Sequence, residues 1–131
     1  EHVIEKEVNT AINKATQKFG GSIIEYTVCP KVLGEAGESH HEWFIEFGNR
    51  PAKLSEFSLY LNSIMEEQNI YYKDLVHSNI IRPLKINLVE RGGFIEYMKS
   101  IGKFGGQNKC PHLSNGREVG DFLYKKHVEK R

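Results

Sequence analysis

The chain has 131 residues, 39% of them hydrophobic and 27% charged, with a formal net charge of +1. This is the length of one domain with one core, able to bury about two-thirds of its unfolded surface without disulfide or metal staples. No apolar run approaches the ~20 residues of a membrane span, no signal peptide is visible, and the distant Cys29 and Cys110 suggest no disulfide framework.

A reducing, cytoplasmic compartment fits those two cysteines. The chain does not begin with Met and opens inside a helical pattern, so it is expected to be a piece of a longer protein.

Residues 3–19 place Ile4, Val8, Ala11, Ile12, Ala15 and Phe19 at helical spacing, and Gly20-Gly21 ends the helix. Ser22 to Lys31 reads as a strand with Ile24, Tyr26 and Val28 on one face. Val32 to His40 is a polar hairpin loop. His41 to Phe47 reads as the second strand, with Trp43, Ile45 and Phe47 facing one way and Phe44 and Glu46 the other; Glu46 is expected in solvent or beside a lysine. After Pro51, Leu54, Phe57, Leu61, Ile64 and Met65 mark a second helix ending near Gln68-Asn69. Asn69 to Asn79 is aromatic and polar and reads as partly irregular. Ile81 to Glu90 is a third strand, with Leu84, Ile86 and Leu88 alternating against Lys85 and Asn87. Phe94 to Ile101 is a short helix with Tyr97 and Met98 as core, and Asn115 to His127 closes the chain as a helix burying Val119, Phe122 and Leu123. The order α-β-β-α-β-α-loop-α predicts an α+β fold: a small, mostly antiparallel sheet flanked by helices, without internal repeat or second domain.

Between the last two helices lies the stretch that is neither helix nor strand by composition. Gly102, Gly105 and Gly106 allow positive φ or close approach to a ligand, Pro111 stiffens the exit, and Lys103 and Lys109 place two positive charges on the bend. Asn115 reads as an N-cap with Glu118 as its capping-box partner. A glycine loop leading into a helix suits an anion, although no Gly-Lys-Ser/Thr phosphate-loop pattern is present; a surface loop with solvated lysines is the plain alternative. From Lys99 onward there are 8 Lys/Arg against 3 Asp/Glu, and before it 10 against 14, so the basic C-terminal third points to an anionic partner.

Other chemistries fit less well. His40, His41, Cys29, Cys110 and His112 are metal-ligand types without metal-ligand spacing. Cys110 as a nucleophile lacks an identifiable His partner. Phe104 and Tyr97 near a basic loop suit base stacking, but a near-neutral total charge argues against nucleic acid.

The run Gly102-Lys-x-Gly-Gly-Gln-x-Lys-x-Pro111, followed by Leu-Ser-Asn-x-Arg, resembles the C-terminal end of the auxin-responsive Gretchen Hagen family of acyl-acid amido synthetases, of the adenylate-forming superfamily. His41-Glu-Trp-Phe-Ile-Glu-Phe47 and Glu25-Tyr-Thr27 are similar to the family's hairpin, and Leu61, Asn69 and Tyr71-Tyr72 to the segment after it. The likeness covers nearly the whole chain and looks closer to the bacterial than the plant branch. It implies that residues 1–131 are a single mobile C-terminal domain of a larger enzyme whose N-terminal ATP and acyl domain is not in this chain. Such an enzyme activates a carboxylic acid with ATP and Mg2+ as an acyl-adenylate, then passes the acyl group to an amine or amino acid. By position in the motif, Lys109 is the implied catalytic lysine and Lys103 the second candidate; Gly105, Gly106 and Gln107 would shape the phosphate-binding loop. The domain alone would bind neither ATP nor metal and be inactive. Its implied partners are its own N-terminal domain and the two substrates, the Val32–His40 loop touching the amine, with no nucleic acid and no membrane. Two positions depart from the family pattern: His112 stands where Arg is usual, and Gly116 where Asp is usual. The alternative is a stand-alone, non-catalytic phosphate-binding or protein-interaction module of the same fold.

Overall fold

The structure, a computed structural model, describes residues 3–33, 38–103 and 109–130. The elements are α1 (Glu5–Phe19), β1 (Ser22–Lys31), β2 (His40–Asn49), α2 (Leu54–Gln68), α3 (Ile70–His77), β3 (Lys85–Leu88), α4 (Gly93–Ser100) and α5 (Glu118–Lys126). The sheet has the order β1-β2-β3. β1 and β2 form a long antiparallel hairpin, and the short β3 pairs parallel to β2. The fold is α+β as expected, and the parallel β3 makes the sheet mixed.

β2 is the middle strand, and its alternation divides the core. Trp43, Ile45 and Phe47 pack with Val8, Ile12 and Ala15 of α1 and with Phe57, Leu61 and Met65 of α2. Phe44 faces the other way, into a second cluster with Cys29, Phe94, Cys110, Val119 and Leu123. Helices α1, α2 and α3 thus cover one face, and α4 and α5 the other.

Four expectations change. On β1, the register slips between Ile23 and Glu25, a bulge that turns Ile24 outward and leaves Ile23, Tyr26 and Val28 toward the first cluster. The segment after Asn69 is a helix: Asn69 ends α2 and its side chain accepts the Tyr72 N–H at 2.9 Å, capping α3. The third strand shortens to Lys85–Leu88, and Asn87 is buried, donating to Glu42 at 3.0 Å. The last helix starts at Glu118, its N-cap is Arg117 and no side chain caps it, so the Asn115–Glu118 capping box does not form.

Glu46 also departs from expectation. It is 2% exposed. Its carboxylate accepts the N–H of Gly92 at 2.9 Å and of Phe94 at 3.3 Å, at the start of α4. A carboxylate there satisfies orphan donors and complements the positive end of the helix. Gly92 holds φ +89, in the left-handed region that this tight entry needs.

Two substitutions test this packing by chemical denaturation. Glu46→Gln leaves one buried N–H facing an amide hydrogen and is expected to cost about 1–3 kcal/mol; an unchanged midpoint would show that α4 does not rely on this carboxylate. On α5, a Cβ at Gly120 would lie 2.9 Å from Phe44 Cε2 and 3.1 Å from Cys29 Sγ. Gly120→Ala is therefore expected to push α5 off the sheet and lose about 1–3 kcal/mol, despite alanine's better helix propensity.

Candidate functional site

The glycine stretch leaves α4 at Gly102, whose φ of +74 turns the chain away, with the Lys103 N–H closing onto Met98 O at 2.8 Å. Phe104, Gly105, Gly106 and Gln107 lie outside the described residues. Lys109 begins the returning segment. It is exposed, as is Lys103, and neither forms an ion pair among the described residues.

From Cys110 to Ser114 the returning segment is held in place. Cys110 is buried in the second cluster. Pro111 O accepts the Thr27 hydroxyl at 2.7 Å. His112 O accepts the Val28 N–H at 2.9 Å, and the Ser114 N–H donates to Val28 O at 2.8 Å. Val28 and Leu113 thereby form a parallel bridge on the open edge of β1. The His112 ring lies between α1 and β1, with Nδ1 2.8 Å from Asn9 Oδ1 and Nε2 3.0 Å from Glu25 Oε1. It stacks on Tyr26 with centroids 3.9 Å apart. Burial first, then the charges of Glu25 and Glu5, push the Tyr26 phenol up to about 12, and its hydroxyl donates to Asn9 Oδ1.

Lys109 and His112 line a cleft of about 460 Å³ with Glu25, Tyr26, Asn13 and Thr16. Its walls are α1, the bulged start of β1 and the loop exit. A second cleft, of about 580 Å³, opens at the opposite end of β1, where Lys31, Lys85, Arg82 and His40 surround the Glu42–Arg117 pair. Arg117 reaches Glu42 at 2.7 Å and Asp121 at 3.1 Å and donates to Pro30 O at 3.2 Å. Burial alone would lower its pKa; the hydrogen bond and charge of Glu42, with Asp121, raise it instead. Arg117 is thus committed to holding α5 against the sheet.

Among the described residues, no three His, Cys, Asp or Glu side chains gather as a metal site. No described helix is long and apolar enough to cross a membrane. His40 and His41 sit at the far end of the hairpin from His112. Cys110 is buried, and that burial, with smaller contributions from Glu25 and Cys29, pushes its thiol up to about 12, which disfavours the reactive thiolate.

Sequence reasoning put Lys103 and Lys109 on the bend between the last two helices; both are exposed there. It weighed His112 as a metal-ligand type and as a departure from a family pattern, and missed its pairing with Asn9 and Glu25. No local signal links those residues, since 103 and 87 positions separate them; only the fold of α1 and β1 brings them together.

These features define a small α+β domain that carries a basic glycine loop on the covered edge of its sheet. A family model described as "GH3 family C-terminal domain" matches residues 6–118, and the chain belongs to that family. No curated protein matches it. Its fold is similar to that of a solved structure of "GH3.15 acyl acid amido synthetase", with a TM-score of 0.79 and 18% identity, over 99% of this chain and 25% of that one. A structure of "AtGH3.15 acyl acid amido synthetase in complex with 2,4-DB" is as similar, with a TM-score of 0.79 and 17% identity, over the same 99% and 25%. The chain therefore spans about a quarter of the length of the structures it matches.

The burial of Cys110 gives a chemical prediction. Native protein is expected to alkylate slowly at Cys29 and Cys110 near pH 8, and rapidly once unfolded, when followed by mass spectrometry. The folded thiol of Cys110 holds its proton more tightly than the unfolded one, whose ordinary value is 9.0. Its contribution to stability is therefore full below about 9 and lost as pH rises toward about 12.

Proposed function

We propose that this chain is the mobile C-terminal domain of an ATP-dependent, acyl-adenylate-forming amido synthetase, and that it delivers Lys109 to the reacting phosphates. The observation that carries this reading is the placement of Lys109: an exposed ammonium without an acidic partner among the described residues, shortly before Leu113, where the chain is pinned to the sheet edge. Lys103 stands at the loop's other end. Two such cations fit a polyphosphate, so the residues present suit ATP, while Mg2+ would be held by the N-terminal part.

ATP with Mg2+ supplies the activated phosphate that converts a carboxylic acid to an acyl-adenylate. The part of this chain is electrostatic. Negative charge grows on the α-phosphate and the departing pyrophosphate, and the Lys109 ammonium neutralises it once domain closure excludes water. The Gly105 and Gly106 amides and Gln107 shape the loop around the phosphates, and Lys103 adds a second charge. No group here acts as a general base. The domain then moves to let an amine or amino acid reach the acyl group, and the charged cleft beside the Val32–His40 loop suits the amine side. The domain alone is inactive. Two buried free thiols suit work in the cytoplasm, with the N-terminal domain and the substrates as partners.

The test is Lys109→Ala in the full-length protein, assayed by acid-dependent ATP–pyrophosphate exchange. Loss of one such donor is expected to slow exchange about 10²–10³-fold, with the unfolding midpoint unchanged because the side chain is exposed. Exchange near the wild-type rate would remove Lys109 from the chemistry and favour the alternative, a non-catalytic phosphate-binding or interaction module.

A further inference from the structure

The loop that carries Lys109 is held at one described point more firmly than backbone pairing alone requires. His112 is anchored three ways. Its carbonyl accepts the Val28 N–H at 2.9 Å. Its ring stacks on Tyr26, at 3.9 Å between centroids and 20° between planes. Its two nitrogens meet Asn9 Oδ1 at 2.8 Å and Glu25 Oε1 at 3.0 Å.

Both of those oxygens are acceptors. Glu25 has only acceptor atoms as a carboxylate, and its Oε1 already takes the Tyr26 N–H at 3.0 Å. The Tyr26 hydroxyl donates to the same Asn9 Oδ1. The Glu25 carboxylate gives its contact with the ring a charged member, which makes it stronger than a neutral one. The cluster joins α1, through Asn9, to β1, through Glu25 and Tyr26, and both to the segment that ends the loop.

Lys109 lies three residues upstream, and no more than ~11 Å of extended chain separates it from the clamp. Cys110 is buried and Pro111 has a fixed φ, so little slack remains between them. Lys109 and the His112 ring line the same cleft. We infer that His112 is a positioning residue for adenylation: by clamping the loop exit to α1 and β1 it fixes where the Lys109 ammonium stands when the domain closes. This rests on the adenylation role proposed for Lys109. His112 itself touches no reacting atom; it acts through the lysine.

The two ideas fail separately under acid-dependent ATP–pyrophosphate exchange by the full-length protein. His112→Ala is expected to lower kcat about tenfold or more, since misplacing a catalytic group by about 1 Å can cost 10²-fold. The KM for ATP should stay near wild type, because the lost interaction matters only in the transition state. His112→Gln, which donates to one partner, should fall in between and is the variant to use if alanine impairs folding. The deciding measurement is the double variant: Lys109→Ala with His112→Ala should be no slower than Lys109→Ala alone, because the clamp has then nothing to position. Wild-type kcat in folded His112→Ala and His112→Gln, beside a slow Lys109→Ala, would overturn the clamp and leave the lysine standing. A double variant slower by the full factor of His112→Ala would show His112 acting independently of the lysine and would also overturn it. Wild-type exchange in Lys109→Ala alone would instead sink the adenylation role itself.

Discussion

The open edge of β1 is the constraint around which the functional end of this domain is built. An unpaired strand edge presents free N–H and C=O groups to solvent and to other chains. Here Val28 gives its N–H to His112 O and takes the Ser114 N–H on its carbonyl. The buried Thr27 hydroxyl adds bonds to Pro111 O and to the Ser114 hydroxyl. One short segment thus satisfies the edge, covers the second core cluster through Cys110, and ends a glycine-rich loop at a fixed place. Glycine loops are costly to order; anchoring the exit concentrates that cost in a region already held by sheet pairing.

The middle strand sets the opposite requirement. β2 is covered on both faces, so its two carboxylates need partners inside the protein. Glu42, 6% exposed, is met by Arg117 and Asn87. Glu46 is met by the backbone that opens α4. Each acid ties one outer element to the sheet: Glu42 holds the entry of α5, and Glu46 the entry of α4. These are the two elements that flank the glycine loop. The loop is therefore suspended between two helices whose starting points are both fixed by carboxylates of one strand.

How much of this was legible in the sequence depends on the kind of signal each element carries. The stripe Val8, Ala11, Ile12 and Ala15 is fully buried, and α1 stands where its period put it. The β1–β2 hairpin is likewise where alternation put it, because a half-buried strand writes its two faces into sequence. α3 was hidden because only Tyr72 is buried in it, while Ile70 and Tyr71 are exposed; one buried residue in two turns has no period. The bulge at Ile24 turned that one residue out of the face that strict alternation assigned, while Tyr26 and Val28 kept it. Asn115 and Glu118 match a capping box in spacing, yet Ser114 is drawn to β1 and Arg117 to Glu42, and those tertiary bonds displace the local one. Of the site, the lysines were legible because glycine and charge are compositional. The seat of His112 was not, because its partners are set by the packing of α1 on β1.

The basic character of the C-terminal third is also less uniform than its count of charges suggests. Lys99 has Glu96 at 3.9 Å, one turn away. Arg117 is spent on Glu42 and Asp121. Lys103 and Lys109, like Lys125, Lys126 and Lys130, form no ion pair among the described residues, so no acid there cancels their field. In open water that field is weak, about 1 kcal/mol for a charge pair at 4 Å, against about 4 kcal/mol where the effective dielectric falls to that of a protein surface. A cation in open water therefore attracts an anion weakly, and would attract it more strongly where a second surface excluded that water. An exposed cation without an ion pair in its own domain is the arrangement that would gain most from such exclusion. A lysine paired within its own domain would have to break that pair first.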